Sequence, residues 1–276
     1  MRELSLAYSP CPNDTYIFYA LSQGLIATPF GLKITLADVE MLNQQVKRGA
    51  LDISKISVSA VPHIFDRYRL LRSGGAIGRG CGPLVVAKRP VRMEDLRDAT
   101  VAAPGRLTTA HLLLRLNGIH RGPCVAMQFD RIMPAVASGE VDAGVIIHEG
   151  RFTYQALGLH MVVDLGEWWE AETGLPLPLG AIAVRRDLGP EIAATVEEKI
   201  RESLLYSRAN PEAAWPYIRH HAQEMEPDVI RRHIETFVND FSIDAGEEGE
   251  NALKRLLGPA CALENIPFPA ESLFWS

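Results

Sequence analysis

Short apolar runs alternate with amphipathic stretches along most of the chain. Residues 1–9 read as a strand that Pro10 and Pro12 break. The next run carries Tyr16, Phe18, Tyr19 and Leu21 and predicts a helix that Asn13 or Asp14 can cap and Gly24 can stop. Residues 33–36 predict a strand, 39–48 a helix and 51–57 a strand, with further strands at 69–72 and 83–87. Between these last two lies Ser-Gly-Gly-Ala-Ile-Gly-Arg-Gly at 73–80, which reads as a flexible connector near a lobe boundary. It lacks the G-x-x-x-x-G-K-[ST] pattern of a phosphate loop and opens no helix. Beyond it, a short helix is expected at 93–97 and a strand at 100–103. A helix follows from 108 through Leu112, Leu113 and Leu116, then a strand at 125–129 and a helix at 131–138 ending at Gly139. Residues 143–147 are too few for a helix and rich in β-branched side chains, so they predict a strand that stops at His148. Strands at 161–164 and 181–184 complete the pattern. From Pro190 the chain is helical, with Pro190 and Pro211 at first helical positions and Asn210 and Asp244 as caps.

Strands alternating with helices predict an α/β architecture. Two echoes add a duplication. Gly49, Leu51, Asp52 and Ile56 repeat the order and spacing of Gly139, Val141, Asp142 and Ile146, and a strand followed by proline and a helix opens at both 4–10 and 100–104. The expectation is two lobes of similar design: 1–87 plus 184–276, with an all-helical tail packed on it, and 88–183. Ligands of open α/β sheets sit beyond the carboxyl ends of the strands, so a cleft between the lobes would take the ligand.

Composition narrows the function classes. The 276 residues are 47% hydrophobic and 22% charged, with a net charge of −6 and no basic stripe, which argues against a nucleic-acid partner. The four cysteines (Cys11, Cys81, Cys124 and Cys261) have no disulfide or metal spacing and suit unpaired thiols in a reducing compartment. No basic stretch followed by a long apolar run opens the chain, and no apolar run of about 18 residues could cross a membrane, so a cytoplasmic protein is expected.

Two kinds of candidate chemistry follow. Helix N-termini attract anions, and they are predicted at 13–15 and at 108–110, with hydroxyls at Thr108 and Thr109, Arg106 nearby, and Ser54, Lys55 and Ser57 at a strand end. A small carboxylate is the simple ligand, although Asn13 and Thr108 also suffice as plain caps. The second candidate is His148, the one histidine expected to end a buried strand at the cleft; His63, His111, His120, His160, His220, His221 and His233 fall in helices or loops. With the ordinary histidine pKa of roughly 6.5, an imidazole is mostly neutral at pH 7 and can serve as a general base. Glu149 could orient it or face water, and a structural role for the histidine stays open. No G-x-S-x-G elbow, H-E-x-x-H helix or G-x-G-x-x-G turn is present. Cys11 reads as a small buried residue.

Ser9-Pro10-Cys11-Pro12-Asn13-Asp14-Thr15 followed by Tyr16-Ile17-Phe18-Tyr19-Ala20-Leu21 resembles the opening signature of the 1,4-dihydroxy-6-naphthoate synthase family. So do Arg72-Ser73-Gly74-Gly75-Ala76, Gly82-Pro83-Leu84-Val85-Val86, and Pro104-Gly105 with Thr108-Thr109-Ala110. Ile146-Ile147-His148-Glu149 with Arg151-Phe152-Thr153-Tyr154, and the run from Gly174 to Ala181, match as well. The resemblance implies a two-lobed periplasmic-binding-protein-like (type II) fold with an interlobe cleft. It also implies a lyase of menaquinone biosynthesis by the futalosine route, acting on the carboxylate cyclic dehypoxanthinyl futalosine with no metal or other cofactor. It makes His148 the catalytic base and maps substrate contacts onto Lys55, Ile56, Ser57, Thr109 and Ala110, with Asn43 as a further contact. Thr108 and Asn13 join them from the helix-terminus argument. Two rivals of the same fold are a chorismate dehydratase and a solute-binding protein of a transporter. Trp168 and Trp169 suit either a homodimer interface or a lid, and the sequence leaves that choice open.

Overall fold

The computed structural model describes residues 2–223 and 226–275; Met1, Glu224, Met225 and Ser276, which the predicted lobe boundaries include, lie outside them. The chain runs β1 (Glu3–Tyr8), α1 (Pro12–Ser22), β2 (Gly31–Leu36), α2 (Val39–Lys47), β3 (Ile53–Ser57), β4 (Tyr68–Gly78) and β5 (Leu84–Ala87). It continues through β6 (Val101–Ala103), α3 (Thr109–Asn117), β7 (Cys124–Ala126), α4 (Phe129–Ser138), β8 (Ala143–Ile146), α5 (Gly150–Thr153), β9 (His160–Asp164) and α6 (Leu165–Thr173). The last part is β10 (Leu177–Arg185), α7 (Pro190–Ala209), α8 (Pro211–His221), α9 (Pro227–Phe237), α10 (Asp240–Ile243) and α11 (Gly246–Glu264).

Two units form. The first takes the chain up to Gly78 and from Pro178 onward, and the second takes Arg79–Leu177. The first contains a sheet in the order β2-β1-β3-β10-β4, the second a sheet in the order β7-β6-β8-β5-β9. The designs correspond strand for strand. Three parallel strands come first, β1 beside β2 and β3 in one sheet, β6 beside β7 and β8 in the other. Beside the third lies an antiparallel strand, β10 against β3 and β5 against β8.

The sequence echo has a physical cause. Gly49 and Gly139 take left-handed backbone (φ 75° and 85°) as α2 and α4 end, a conformation glycine adopts without a Cβ penalty. Leu51 and Val141 are then buried. Asp52 Oδ2 accepts from the Ser5 amide at 2.8 Å, and Asp142 Oδ2 accepts from the Thr100 amide at 2.8 Å. Each aspartate ties the start of a third strand to the start of a first. Apolar side chains then lock helices onto each sheet: Leu6, Ile17, Phe18, Ile53, Ile182, Ile200 and Leu204 in the first unit, and Leu84, Val86, Ala102, Ile132, Val136 and Ile146 in the second.

Several expectations need correction. The boundaries lie at 78/79 and 177/178 rather than 87/88 and 183/184. Leu84–Ala87 reads equally well as a strand of either sheet because all four residues are buried, and its pairing with β8 and β9 decides the matter. The glycine-rich segment is not a connector through Gly78: it is the buried half of the eleven-residue β4. Glycine is required at Gly74, where φ is 77° and a Cβ would lie 2.8 Å from the Ile182 side chain, and it is favoured at Gly75, where a Cβ would lie 3.2 Å from the Gly180 carbonyl. Pro12 starts α1, so Asn13 and Asp14 sit inside its first turn rather than at its cap, which is Cys11. Phe129 opens α4 instead of closing a strand. β8 stops at Ile146, one residue short of the expected end.

Candidate active site

In the first unit, β3 is buried along its whole length and delivers polar groups into an apolar core. Lys55 is 4% exposed; its Nζ donates to Asp14 Oδ1 at 2.6 Å and to the Gly74 carbonyl at 3.0 Å. Asp14, 2% exposed, also receives Asn13 Nδ2 at 2.9 Å on Oδ1 and the Ser9 hydroxyl at 2.7 Å on Oδ2. Because the Asn13 amide nitrogen must face that carboxylate, its Oδ1 is the acceptor for His233 Nε2 at 2.9 Å, which fixes the proton on Nε2. Two β-strand residues later, the Ser57 amide donates to Asn43 Oδ1 at 2.8 Å and Asn43 Nδ2 donates to the Ser57 hydroxyl at 3.1 Å. Ile56 gives its side chain fully to the core.

In the second unit, Thr108 caps α3: its hydroxyl accepts from the His111 amide at 3.3 Å and donates to the Gly105 carbonyl at 2.7 Å. The amides of Thr109 and Ala110 open that helix, and both residues are buried. His148 lies two residues beyond β8 with φ 55°, a left-handed backbone uncommon for a residue with a Cβ. Its ring meets the edge of Phe129 at a centroid distance of 5.0 Å and an interplanar angle of 68°. Three residues further on, Arg151 donates to Asp164 Oδ2 at 2.6 Å and to the Gly82 carbonyl at 2.7 Å. Glu149 is buried.

The cysteines are all free. Burial pushes the Cys81 thiol up to about 12, so it stays protonated and is a poor nucleophile. Among the described residues, no group of three or more His, Cys, Asp or Glu side chains could hold a metal ion. No described helix is long and apolar enough to cross a membrane.

A protein family described as menaquinone biosynthesis matches residues 4–261. The chain belongs to this family. Among curated proteins, the 1,4-dihydroxy-6-naphthoate synthase of Thermus thermophilus is 54% identical over 261 residues, covering 94% of each chain. The enzyme of the same name from Streptomyces coelicolor is 46% identical over 271 residues, covering 96% of this chain and 95% of its own. A crystal structure from Archaeoglobus fulgidus superposes with a TM-score of 0.90 at 35% identity, covering 96% of this chain and 98% of that one. The alkanesulfonate-binding protein SsuA of Xanthomonas axonopodis pv. citri, at 13% identity and a TM-score of 0.71, covers 97% of this chain and 95% of its own and shares the fold. That fold is the two-lobed, periplasmic-binding-protein-like α/β architecture.

Within this family frame, Lys55, Ser57 and Asn43 gather around β3, and Thr108, Thr109 and Ala110 around the start of α3. Asn13 and Thr108 use their side chains on protein partners, which makes them supports for Asp14 and for α3. Sequence reasoning treated Asp14 as a cap and passed over Ser9, although both belong to the opening signature. Arg151 lies in one of the matching motifs, where the sequence alone gives it no task. Asp164 and His233 had no sequence signal, because their partners are distant along the chain.

Proposed function

We propose that the chain is a carbon–carbon lyase that converts cyclic dehypoxanthinyl futalosine to 1,4-dihydroxy-6-naphthoate, with His148 as general base. The names of its relatives support the activity. For the base, the supporting observation is the left-handed backbone at His148, held just past a buried strand with the ring braced by Phe129. Such a conformation persists only where the surroundings over-determine it, and it gathers at functional sites.

The neutral imidazole takes a proton from the ribose-derived part of the substrate. The neighbouring carbon–carbon bond breaks in a retro-aldol sense, and the second ring of the other fragment aromatises to the diol. Aromatisation supplies the driving force, and the step has no net gain or loss of electrons, so as written it calls on no redox cofactor. Lys55 uses two of its three N–H donors on Asp14 and Gly74, leaving one for the substrate carboxylate. The Ser57 hydroxyl accepts from Asn43, which leaves its hydrogen to donate. α3 begins at Thr109 and Ala110, and the positive end of its dipole attracts an anionic oxygen. Ile56 can contribute only through its main chain. The same reading places the protein in the cytoplasm.

The test is to incubate the purified protein with cyclic dehypoxanthinyl futalosine, without added metal or cofactor, and to detect 1,4-dihydroxy-6-naphthoate by mass. Turnover is expected to fall by about 10²–10⁴ in His148→Ala. Near-normal turnover in that variant would sink the base assignment. Turnover of chorismate instead would make the protein a dehydratase, and tight carboxylate binding with no turnover would make it a binding protein.

A further inference from the structure

We propose that Arg151 and Asp164 are positioning residues, a clamp that holds the His148 turn in its left-handed conformation. The inference rests on the reading of His148 as the base.

Local helix structure alone is a weak anchor for the turn. α5, which follows it, has four residues, none of them buried, and a single helical turn has little stability of its own. Its hydrogen bonds back to the turn run from the Gly150 amide to the Ile147 carbonyl at 3.2 Å, from the Arg151 amide to the His148 carbonyl at 3.3 Å, and from the Phe152 amide and the Thr153 hydroxyl to the Glu149 carbonyl at 2.8 and 3.3 Å. The Arg151 side chain supplies the fixed point. Its two terminal nitrogens reach different acceptors, the Gly82 carbonyl at 2.7 Å and Asp164 Oδ2 at 2.6 Å. Asp164 is 4% exposed and is itself pinned, because its Oδ1 caps α6 by accepting from the Gly166 amide at 2.8 Å and the Glu167 amide at 3.1 Å.

The acceptors have almost no freedom to move. A Cβ built on Gly82 would lie 2.3 Å from Gly166 Cα, and one built on Gly166 would lie 2.7 Å from Gly82 Cα. The two backbones are therefore in direct contact, which both glycines permit. A planar guanidinium spans two acceptors so placed, whereas an ammonium is a single point charge on a flexible stem. The guanidinium thus carries the rigidity of the Gly82–Gly166 crossing into α5, and the 3.3 Å main-chain bond passes it to His148. Phe129 braces the ring from another side.

The test uses the full-length protein and the substrate named above. Arg151→Met is expected to lower kcat by about 10²-fold, the cost of a base displaced by roughly an ångström, with KM near the parental value. Arg151→Lys should recover little of it. Guanidinium ion should restore part of kcat to Arg151→Met and none to His148→Ala. Asp164→Asn keeps the shape and an acceptor oxygen, and it should show the same kcat loss should Arg151→Met fail to fold. The clamp is overturned if folded Arg151→Met turns over at the parental rate, or if its loss only tracks the folded fraction and guanidinium restores nothing. An active His148→Ala would overturn the base assignment itself, whereas an inactive His148→Ala beside fully active Arg151 and Asp164 variants would overturn the clamp alone.

Discussion

Asp14 receives donors on both oxygens: Asn13 Nδ2 and Lys55 Nζ on one, the Ser9 hydroxyl at 2.7 Å and the Ser9 amide at 3.3 Å on the other. Among the described residues, Lys55 Nζ has this carboxylate and one carbonyl as partners, and both charged side chains are almost wholly buried. Removing the carboxylate leaves an ammonium in an apolar surround, a change that typically costs about 3–5 kcal/mol. Asp14→Ala should therefore lose about that much in urea unfolding, while Asp14→Leu combined with Lys55→Met should recover most of it. A loss under about 1 kcal/mol in Asp14→Ala would mean that water or rearrangement compensates the charge. The motif containing Asp14 was legible in the sequence, but its role was not. The helix was expected to begin after Asn13 or Asp14, and with Pro12 at its first position both residues turn inward. His233, 220 positions from Asn13, closes the network from a helix whose sequence says nothing about its partner.

At the scale of elements, β4 shows how tertiary packing overrides composition. Glycine is depleted in strands, so 73–80 reads as a loop until Ile182, Ile200 and Gly180 are seen to occupy the space that side chains would need. β4 is also an edge strand, which invites unwanted pairing unless covered. The C-terminal segment covers it: the Leu70 amide donates to the Leu273 carbonyl at 2.9 Å and the Trp275 amide to the Leu70 carbonyl at 3.0 Å. Arg72 on β4 stacks over Phe274 and pairs with Asp244 at 3.1 Å and Glu250 at 3.2 Å, joining the edge to the start of α11. Burial opposes ionisation of Asp244, but the Gly246 amide and Arg72 outweigh it and hold the carboxyl below its usual range. The Lys254 hydrogen bond, against some burial and with help from Arg72, does the same for Glu250. Depressed carboxyl values contribute stability above the ordinary carboxylate pKa of about 4, and that contribution is lost as pH falls through the folded-state values. Arg72→Met should therefore cost about 1 kcal/mol or less per pair near pH 7, since both pairs are partly exposed, and should unfold more like the parent in acid. An equal gap between the two proteins at pH 7 and pH 3 would place the loss in the stacking on Phe274 instead of in the charges.

Across the whole molecule, the duplication was legible because glycine, aspartate and apolar residues recur where each third strand begins, and the structure gives each aspartate the same bond. The boundaries were not legible, because β5 and β10 are apolar runs that could serve either sheet and only pairing decides which. That pairing makes the two units unequal in chain continuity. The second unit draws all five strands, β5 to β9, from one continuous segment, Arg79–Leu177. The first inserts β10 between β3 and β4, so its sheet is split until the chain returns from the second unit. A fragment of residues 79–177 should thus fold alone, with a single cooperative urea transition and a stability at the low end of the usual range of about 5–15 kcal/mol. A fragment of residues 1–78 should remain unfolded by circular dichroism and acquire structure only when 178–276 is added in trans. The missing strand supplies Ile182 and Val184 to the core and pairs with β3 from Gly180 to Val184. A folded 1–78 fragment, or a 79–177 fragment without a cooperative transition, would show that sheet completeness does not govern which part of this chain is autonomous.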